Sequence, residues 1–206
     1  VYQFLGAQIA EGRQAYVVFP MIEESEEASM RALEEGVRRY TEHFPELKIV
    51  YVHGKMKPEE KDEAMRSFSS GEAQLLLATT VIEVGVNVPN ASVMVIEGAN
   101  RFGLSQLHQL RGRVGRGASQ SYCILVTGNE LGEEAKRRIA IMVETNDGFE
   151  IAEEDMRLRG FGEIDGTRQS GQQLSLRIAN PALDGAMVQY TRELAESILT
   201  EDPELS

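Results

Sequence analysis

Apolar positions along this chain come in short continuous runs, separated by longer stretches where they recur every three or four residues. The runs QAYVVFP (14–20), LKIVYVH (47–53), QLLLATT (74–80), SVMVIEG (92–98) and SQSYCILVT (119–127) are bounded by Gly, Pro or polar residues. Their length and their β-branched and aromatic content predict five buried strands. Between them lie helical patterns. In residues 1–12, Val1, Leu5 and Ile9 stand four apart and Gly12 ends the segment. An acid-rich stretch runs from Ser25 to about His43. Residues 57–71 have Pro58 at the opening turn, acids early, Ala64, Met65 and Phe68 on one face, and Gly71 at the close. From Asn129, Leu131, Ala135, Ile139 and Met142 repeat at helical spacing until Asn146-Asp147-Gly148.

Strands alternating with helices, and strands apolar throughout, indicate an α/β fold: a parallel sheet with helices on both faces. Ligands of such sheets gather beyond the carboxyl ends of the strands. The polar segment after the third strand and the basic segment after the fourth are expected at that edge. Beyond Gly148 the strand pattern stops. A helical piece, GFEIAEEDMRLRG, is followed by a glycine-rich polar loop, GEIDGTRQSGQQ, and a closing helix from about Pro181 to Leu199. The expected division is therefore 1–148, a sheet domain, and 149–206, an α-helical extension without a second core.

Composition narrows the class. At 206 residues, 26% charged and 42% hydrophobic, the chain has room for one good-sized core plus an appendage. No apolar run approaches the roughly 20 residues needed to span a bilayer, and no signal peptide is expected. The opening at Val1, directly in a helical pattern, looks like a piece of a longer protein. The single cysteine, Cys123, reads as a buried strand residue in a reducing, cytoplasmic compartment. His43, His53 and His108 share no metal-ligand spacing.

A net charge of −12 argues against indiscriminate nucleic-acid binding but allows a local cationic site. One is evident. From Gly98 to Asn129 there is no Asp or Glu, while Arg101, Arg111, Arg113 and Arg116 fall inside. If QLRGRVGR is helical, Arg113 and Arg116 share a face and Arg111, about 200° round, points away. Gly112 and Gly115 would each cost such a helix about 1 kcal/mol relative to Ala, which calls for close approach of the backbone to something bulky. Two guanidinium groups on one face suit phosphate oxygens; a solvated basic turn is the alternative. In ATTVIEVGVNVPNA (78–91), Thr79 and Thr80 offer hydroxyl and N–H groups, Gly85 and Pro89 set a turn, and Glu83 and Asn87 supply acceptors. YVHGKMKPEE (51–60) places Gly54 and Lys55 after a strand, as a phosphate site or a plain solvated loop. Arg157, Arg159 and Arg168 adjoin a glycine-rich loop, as linker or as coupling element. There is no G-x-x-x-x-G-K-S/T phosphate loop, no acidic pair after a strand to hold Mg²⁺, and no nucleophile triad. Such a chain can clamp a phosphate but not by itself activate a water.

The stretch Gln109–Arg116 resembles Q-x-x-G-R-x-G-R, motif VI of superfamily 2 helicases. ATTVIEVGVNVP resembles motif V, VHGKMKPEEKDEAMRSF motif IVa, and QAYVVFPMIEESE the RecG form of motif IV. GFEIAEEDMRLRGFGEIDGTRQSG is similar to the translocation motif shared by RecG and the transcription-repair coupling factor Mfd, and its EEDMRLRG and GTRQSG are closer to RecG. The resemblance spans nearly the whole chain, with five motifs in order. It implies the second of two RecA-like lobes (1–148) and a translocation segment (149–206). ATP would lie between this lobe and a first lobe carrying the phosphate loop and the Mg²⁺-binding acids. Arg113 and Arg116 would act as arginine fingers, Gln109 would orient them, and Gly85 and Asn87 would border the nucleotide, Asn87 standing where the family often has Asp. His53, Gly54, Lys55, Thr79 and Thr80 would hold the DNA backbone; Arg157, Arg159 and Gln169 would couple closure to duplex movement. The implied partners are forked or branched DNA, as in recombination and repair, together with the first lobe and wedge domain of the same protein. The isolated piece would be inactive. An Mfd-type translocase lobe and a non-enzymatic nucleic-acid-binding module are the alternatives.

Overall fold

The computed structural model describes residues 1–21, 25–79, 88–114, 120–159 and 190. The strands are β1 (Gln14–Phe19), β2 (Ile49–Val52), β3 (Leu75–Thr79), β4 (Ala91–Ile96) and β5 (Tyr122–Leu125). The helices are α1 (Tyr2–Ala10), α2 (Glu26–His43), α3 (Pro58–Ser69), α4 (Leu104–Arg111), α5 (Glu133–Glu144) and α6 (Gly148–Arg159), with a 3-10 turn at Ala99–Arg101. By contact density the chain divides into two compact units, Val1–Asn146 and Asp147–Ser206.

All strand pairs are parallel, in the order β2-β3-β1-β4-β5. The handedness of parallel crossovers then places the helices. From β1 to β2 the chain moves one way across the sheet through α2; from β2 to β3 and from β4 to β5 it moves the other way through α3 and α4. Right-handed connections put α2 on one face and α3 and α4 on the opposite one. On the α2 face, Leu5, Leu33 and Tyr40 close over Ala15, Val17, Phe19, Leu75, Leu77, Val93 and Val95. On the other face Tyr16 meets the ring of Phe68, from α3, at 5.0 Å.

The sequence explains these elements locally. The central strands β1, β3 and β4 are buried at every position because both faces are covered, whereas the edge strands β2 and β5 are half-exposed. Ser25 caps α2, its hydroxyl accepting the Ala28 N–H at 3.2 Å. Glu60 reaches back to the Lys57 N–H at 3.1 Å, which together with Pro58 fixes the start of α3. Gly36, inside α2, faces Phe19 so closely that an added Cβ would lie 2.2 Å from the ring.

Three expectations need correction. The strand bounds differ from the apolar runs: β2 and β5 are shorter at both ends and β4 starts one residue earlier, at Ala91, while flanking residues such as Val126 still bond across the sheet, its N–H to Ile96 O at 2.9 Å. The last sheet-domain helix starts at Glu133, after Gly132, and not at Asn129. Helix α4 has only eight residues and its apolar face is carried by Leu104 and Leu107, too short a stretch for a periodic pattern to reveal. The glycine-rich loop and nearly all of the closing helix lie outside the described residues.

Candidate functional site

Residues of the five strands line up in rows. One row is Val50-Leu76-Tyr16-Met94-Cys123; two residues further on, the last complete row is Val52-Ala78-Val18-Ile96-Leu125. The carboxyl edge begins beyond that second row, at His53 and Glu97.

His53, Gly54 and Lys55 stand at this edge. The His53 ring lies parallel to the half-exposed Tyr51 ring, with centroids 6.2 Å apart. Its Nδ1 is buried and has no hydrogen-bond partner among the described residues. The Lys61 ammonium donates to the Gly54 carbonyl at 3.0 Å, which holds the turn in place. An added Cβ on Gly54 would meet nothing within 4 Å, so the fold itself leaves this backbone open to approach. Thr79 differs from expectation. As the last residue of β3 it is only 4% exposed, so its hydroxyl is not offered at the surface. Thr80, Gly85 and Asn87 lie outside the described residues.

The arginine segment is elsewhere. The 3-10 turn sits at the carboxyl edge, where the Ala99 N–H donates to Val126 O at 2.8 Å. Helix α4 then runs back along the sheet towards the start of β5. The opposite edge is marked by Arg13, just before β1, whose guanidinium donates to the carbonyl of Gln120, just before β5, at 2.5 Å. The α-helix ends at Arg111. Gly112 N–H bonds to His108 O at 3.0 Å and Arg113 N–H to Leu110 O at 3.0 Å, so the chain leaves in a tight turn. Gly112 ends the helix here, so Arg113 lies beyond α4. An added Cβ on Gly112 would meet only α4 carbonyls, at 3.4 and 3.5 Å.

Arg111 is spent inside the fold. Its Nη1 donates to Met142 O and to Thr145 O, both at 2.8 Å, and its Nη2 lies 3.2 Å from His108 Nδ1. Its charge also acts on Cys123, whose thiol burial pushes up to about 11 while Arg111 pulls it down. Arg113 is exposed and its charge acts on Tyr16, whose phenol burial raises to about 12 against the opposing pull of the guanidinium. Gly112 and Val114 of the turn line one cavity with Ser121, Tyr122 and Cys123 at the start of β5, so the described part of the turn lies beside β5 and not beyond the carboxyl edge, where the sequence reading puts it. Gln109 is exposed on α4. Arg116 lies outside the described residues.

In the second unit, Asp147 begins α6, its carboxylate accepting the Phe149 N–H at 2.8 Å. Arg157 pairs within its own helix, with Glu153 at 2.8 Å and Glu154 at 3.7 Å. Arg159 is the last residue of α6; its side chain and Gln169 lie outside the described residues. Among the described residues there is no cluster of His, Cys, Asp and Glu fit to hold a metal ion, and no helix is long and apolar enough to cross a membrane.

Sequence reasoning missed the Arg111 clamp and two further braces. Gln14 Nε2 donates to Phe68 O at 2.5 Å and Ala73 O at 2.7 Å, tying the start of β1 to the turn after α3. Glu97 accepts from Arg39 and from the Tyr40 hydroxyl, both at 2.9 Å. Backbone carbonyls leave no mark in a sequence, and the partners of Glu97 are 57 and 58 residues away.

Comparison with known proteins agrees with this architecture. The helicase conserved C-terminal domain family matches residues 1–118, and the family described as ATP-dependent DNA helicase RecG, domain 3, C-terminal, matches residues 145–206. The ATP-dependent DNA helicase RecG of Synechocystis sp. is 49% identical over 206 residues, covering 100% of this chain and 24% of that protein. The Escherichia coli K12 protein of the same name is 49% identical over 198 residues, covering 96% of this chain and 28% of its own length. The chain thus spans about a quarter of the length of these curated relatives. The structure of RecG bound to a three-way DNA junction superposes with a TM-score of 0.66 at 44% identity, covering 80% of this chain and 21% of that one. The sheet is that of a RecA-like lobe, the chain is similar over its whole length to part of the RecG helicases, and it belongs to the helicase conserved C-terminal domain family.

Proposed function

We propose that this chain is the C-terminal motor lobe of an ATP-dependent DNA helicase that remodels branched DNA, such as forks and Holliday junctions, in recombination and repair. Residues 1–148 are the second RecA-like lobe and 149–206 the translocation segment. The observation that carries the reading is the exposure of Arg113 on the turn that follows α4, two residues after Arg111, which holds that turn to the end of α5. A permanently charged, planar group displayed in this way suits the oxygens of a transferring phosphoryl group.

ATP lies between this lobe and a first lobe of the same protein. Arg113, with Arg116, stabilises charge on the γ-phosphate; Gln109, exposed one turn earlier, orients them; Gly85 and Asn87 border the nucleotide. Mg²⁺ is held by carboxylates of the first lobe, since the arginine segment offers only cations and carbonyls. DNA backbone runs along the carboxyl edge at His53, Gly54 and Lys55, and Thr80 is a further DNA contact; these contacts position the duplex without reading its sequence. Arg157, Arg159 and Gln169 couple motor closure to duplex movement, and the wedge domain splits the fork. Acting on chromosomal DNA, the protein is cytoplasmic.

The test is Arg113→Ala in the full-length helicase. DNA-stimulated ATP hydrolysis falls by roughly 10³ or more, as for arginine fingers elsewhere, while fork binding without nucleotide is unchanged. Wild-type hydrolysis in this variant and in Arg116→Ala would end the finger assignment.

A further inference from the structure

We propose that Arg111 is a positioning residue that fastens the nucleotide-facing turn to the end of α5, so that displacement of the turn is passed to the chain as it enters the second unit. This rests on the reading of Arg113 as a nucleotide contact. The geometry is specific. Arg111 lies two residues before Arg113, in the last turn of α4. Its Nη1 carries two hydrogens, and each meets one carbonyl: Met142 O in the last turn of α5 and Thr145 O at its C-cap, both at 2.8 Å. A helix leaves its last four carbonyls without intrahelical partners. Met142 O is one of these, and a cation at the negative end of the helix dipole is favourably placed. The other arm of the same guanidinium rests on His108 Nδ1 at 3.2 Å, one turn back in α4. A single rigid fork thus joins α4 to the end of α5, and its stem lines the cavity between α4, β5 and α5.

Only Asn146 and Asp147 separate Thr145 from Gly148, the first residue of α6. Asp147 is itself fixed to that helix, its carboxylate accepting from Phe149 N–H at 2.8 Å and its carbonyl from Ile151 N–H at 3.2 Å. Removing the fork leaves Arg113 in sequence and exposed, but frees its turn from the end of α5.

The experiment uses the full-length helicase with Arg111→Met, which keeps an apolar stem in the cavity, and Arg111→Lys, whose ammonium lacks the second arm. DNA-stimulated ATP hydrolysis and fork unwinding are measured on the same preparations, with Arg113→Ala alongside. Arg111→Met retains hydrolysis within roughly threefold of wild type and loses unwinding about tenfold or more, and Arg111→Lys falls between. Hydrogen exchange in residues 146–159 responds to a non-hydrolysable ATP analogue in the wild type and not in Arg111→Met. Parallel loss of hydrolysis and unwinding, or an unchanged exchange response, would overturn the proposal. If Arg111→Met does not fold, Arg111→Lys decides by the same two ratios. Persisting hydrolysis in Arg113→Ala would instead remove the underlying reading, which keeps the two failures distinct.

Discussion

Arg111 and Arg113 stand two positions apart and carry the same charge, but Arg111 is half-buried against two carbonyls at the end of α5 and Arg113 is exposed. Motif spacing shows both and distinguishes neither, because what separates them is a pair of carbonyls 31 and 34 residues downstream. Thr79 shows the converse: its hydroxyl makes it a candidate ligand on paper, and burial at the end of a central strand withdraws it. Cys123 was legible only in part: its apolar neighbours announce a strand, but β5 lies at the sheet edge and the residue is half-buried. Its thiol is pushed up to about 11 by that burial, so folding favours the neutral form. The contribution is intact below about pH 9 and is lost as pH climbs through about 11. Alkylation by iodoacetamide at pH 8 should accordingly be far slower in the native protein than in urea, and should accelerate only in strong alkali. Equal rates at pH 8 would contradict the raised thiol pKa.

Among the elements, α2 offers the sharpest test of packing. Helix propensity alone predicts that Gly36→Ala stabilises by about 1 kcal/mol. The Phe19 ring predicts the opposite, because a methyl group 2.2 Å away forces a buried side chain off its rotamer, at a cost of about 1–3 kcal/mol. The urea midpoint of Gly36→Ala should therefore fall, and Phe19→Leu in the same background should recover part of the loss. A raised midpoint would show that the helix stands further from the sheet than described. The strands and long helices were readable because each has a buried stripe long enough to repeat. Helix α4 was not, because eight residues ending in glycine give too few repeats, and so the sequence could not reveal that the arginine segment is carried away from the carboxyl edge.

For the whole molecule, the alternation of apolar runs and helical patterns was enough to reach a parallel sheet, and the ordered motifs enough to reach the family. The strand order follows from pairing over long distances and had to be observed. The chain carries no G-x-x-x-x-G-K-S/T phosphate loop and no D-E-x-H motif, so the purified 206-residue piece should hydrolyse no ATP, with or without fork DNA. With a net charge of −12 it should also bind forks weakly, and any binding should weaken steeply as salt rises. Turnover above a protein-free blank would mean that a water-activating group has been overlooked.

The arginine turn borders the cavity between α4, β5 and α5, while the His53–Lys55 loop follows β2 at the opposite side of the sheet. A compound wedged under the turn would therefore leave that loop unobstructed, and raising the concentration of fork DNA would not relieve its inhibition. Noncompetitive behaviour toward DNA, paired with competition against ATP, is the pharmacological signature this arrangement predicts.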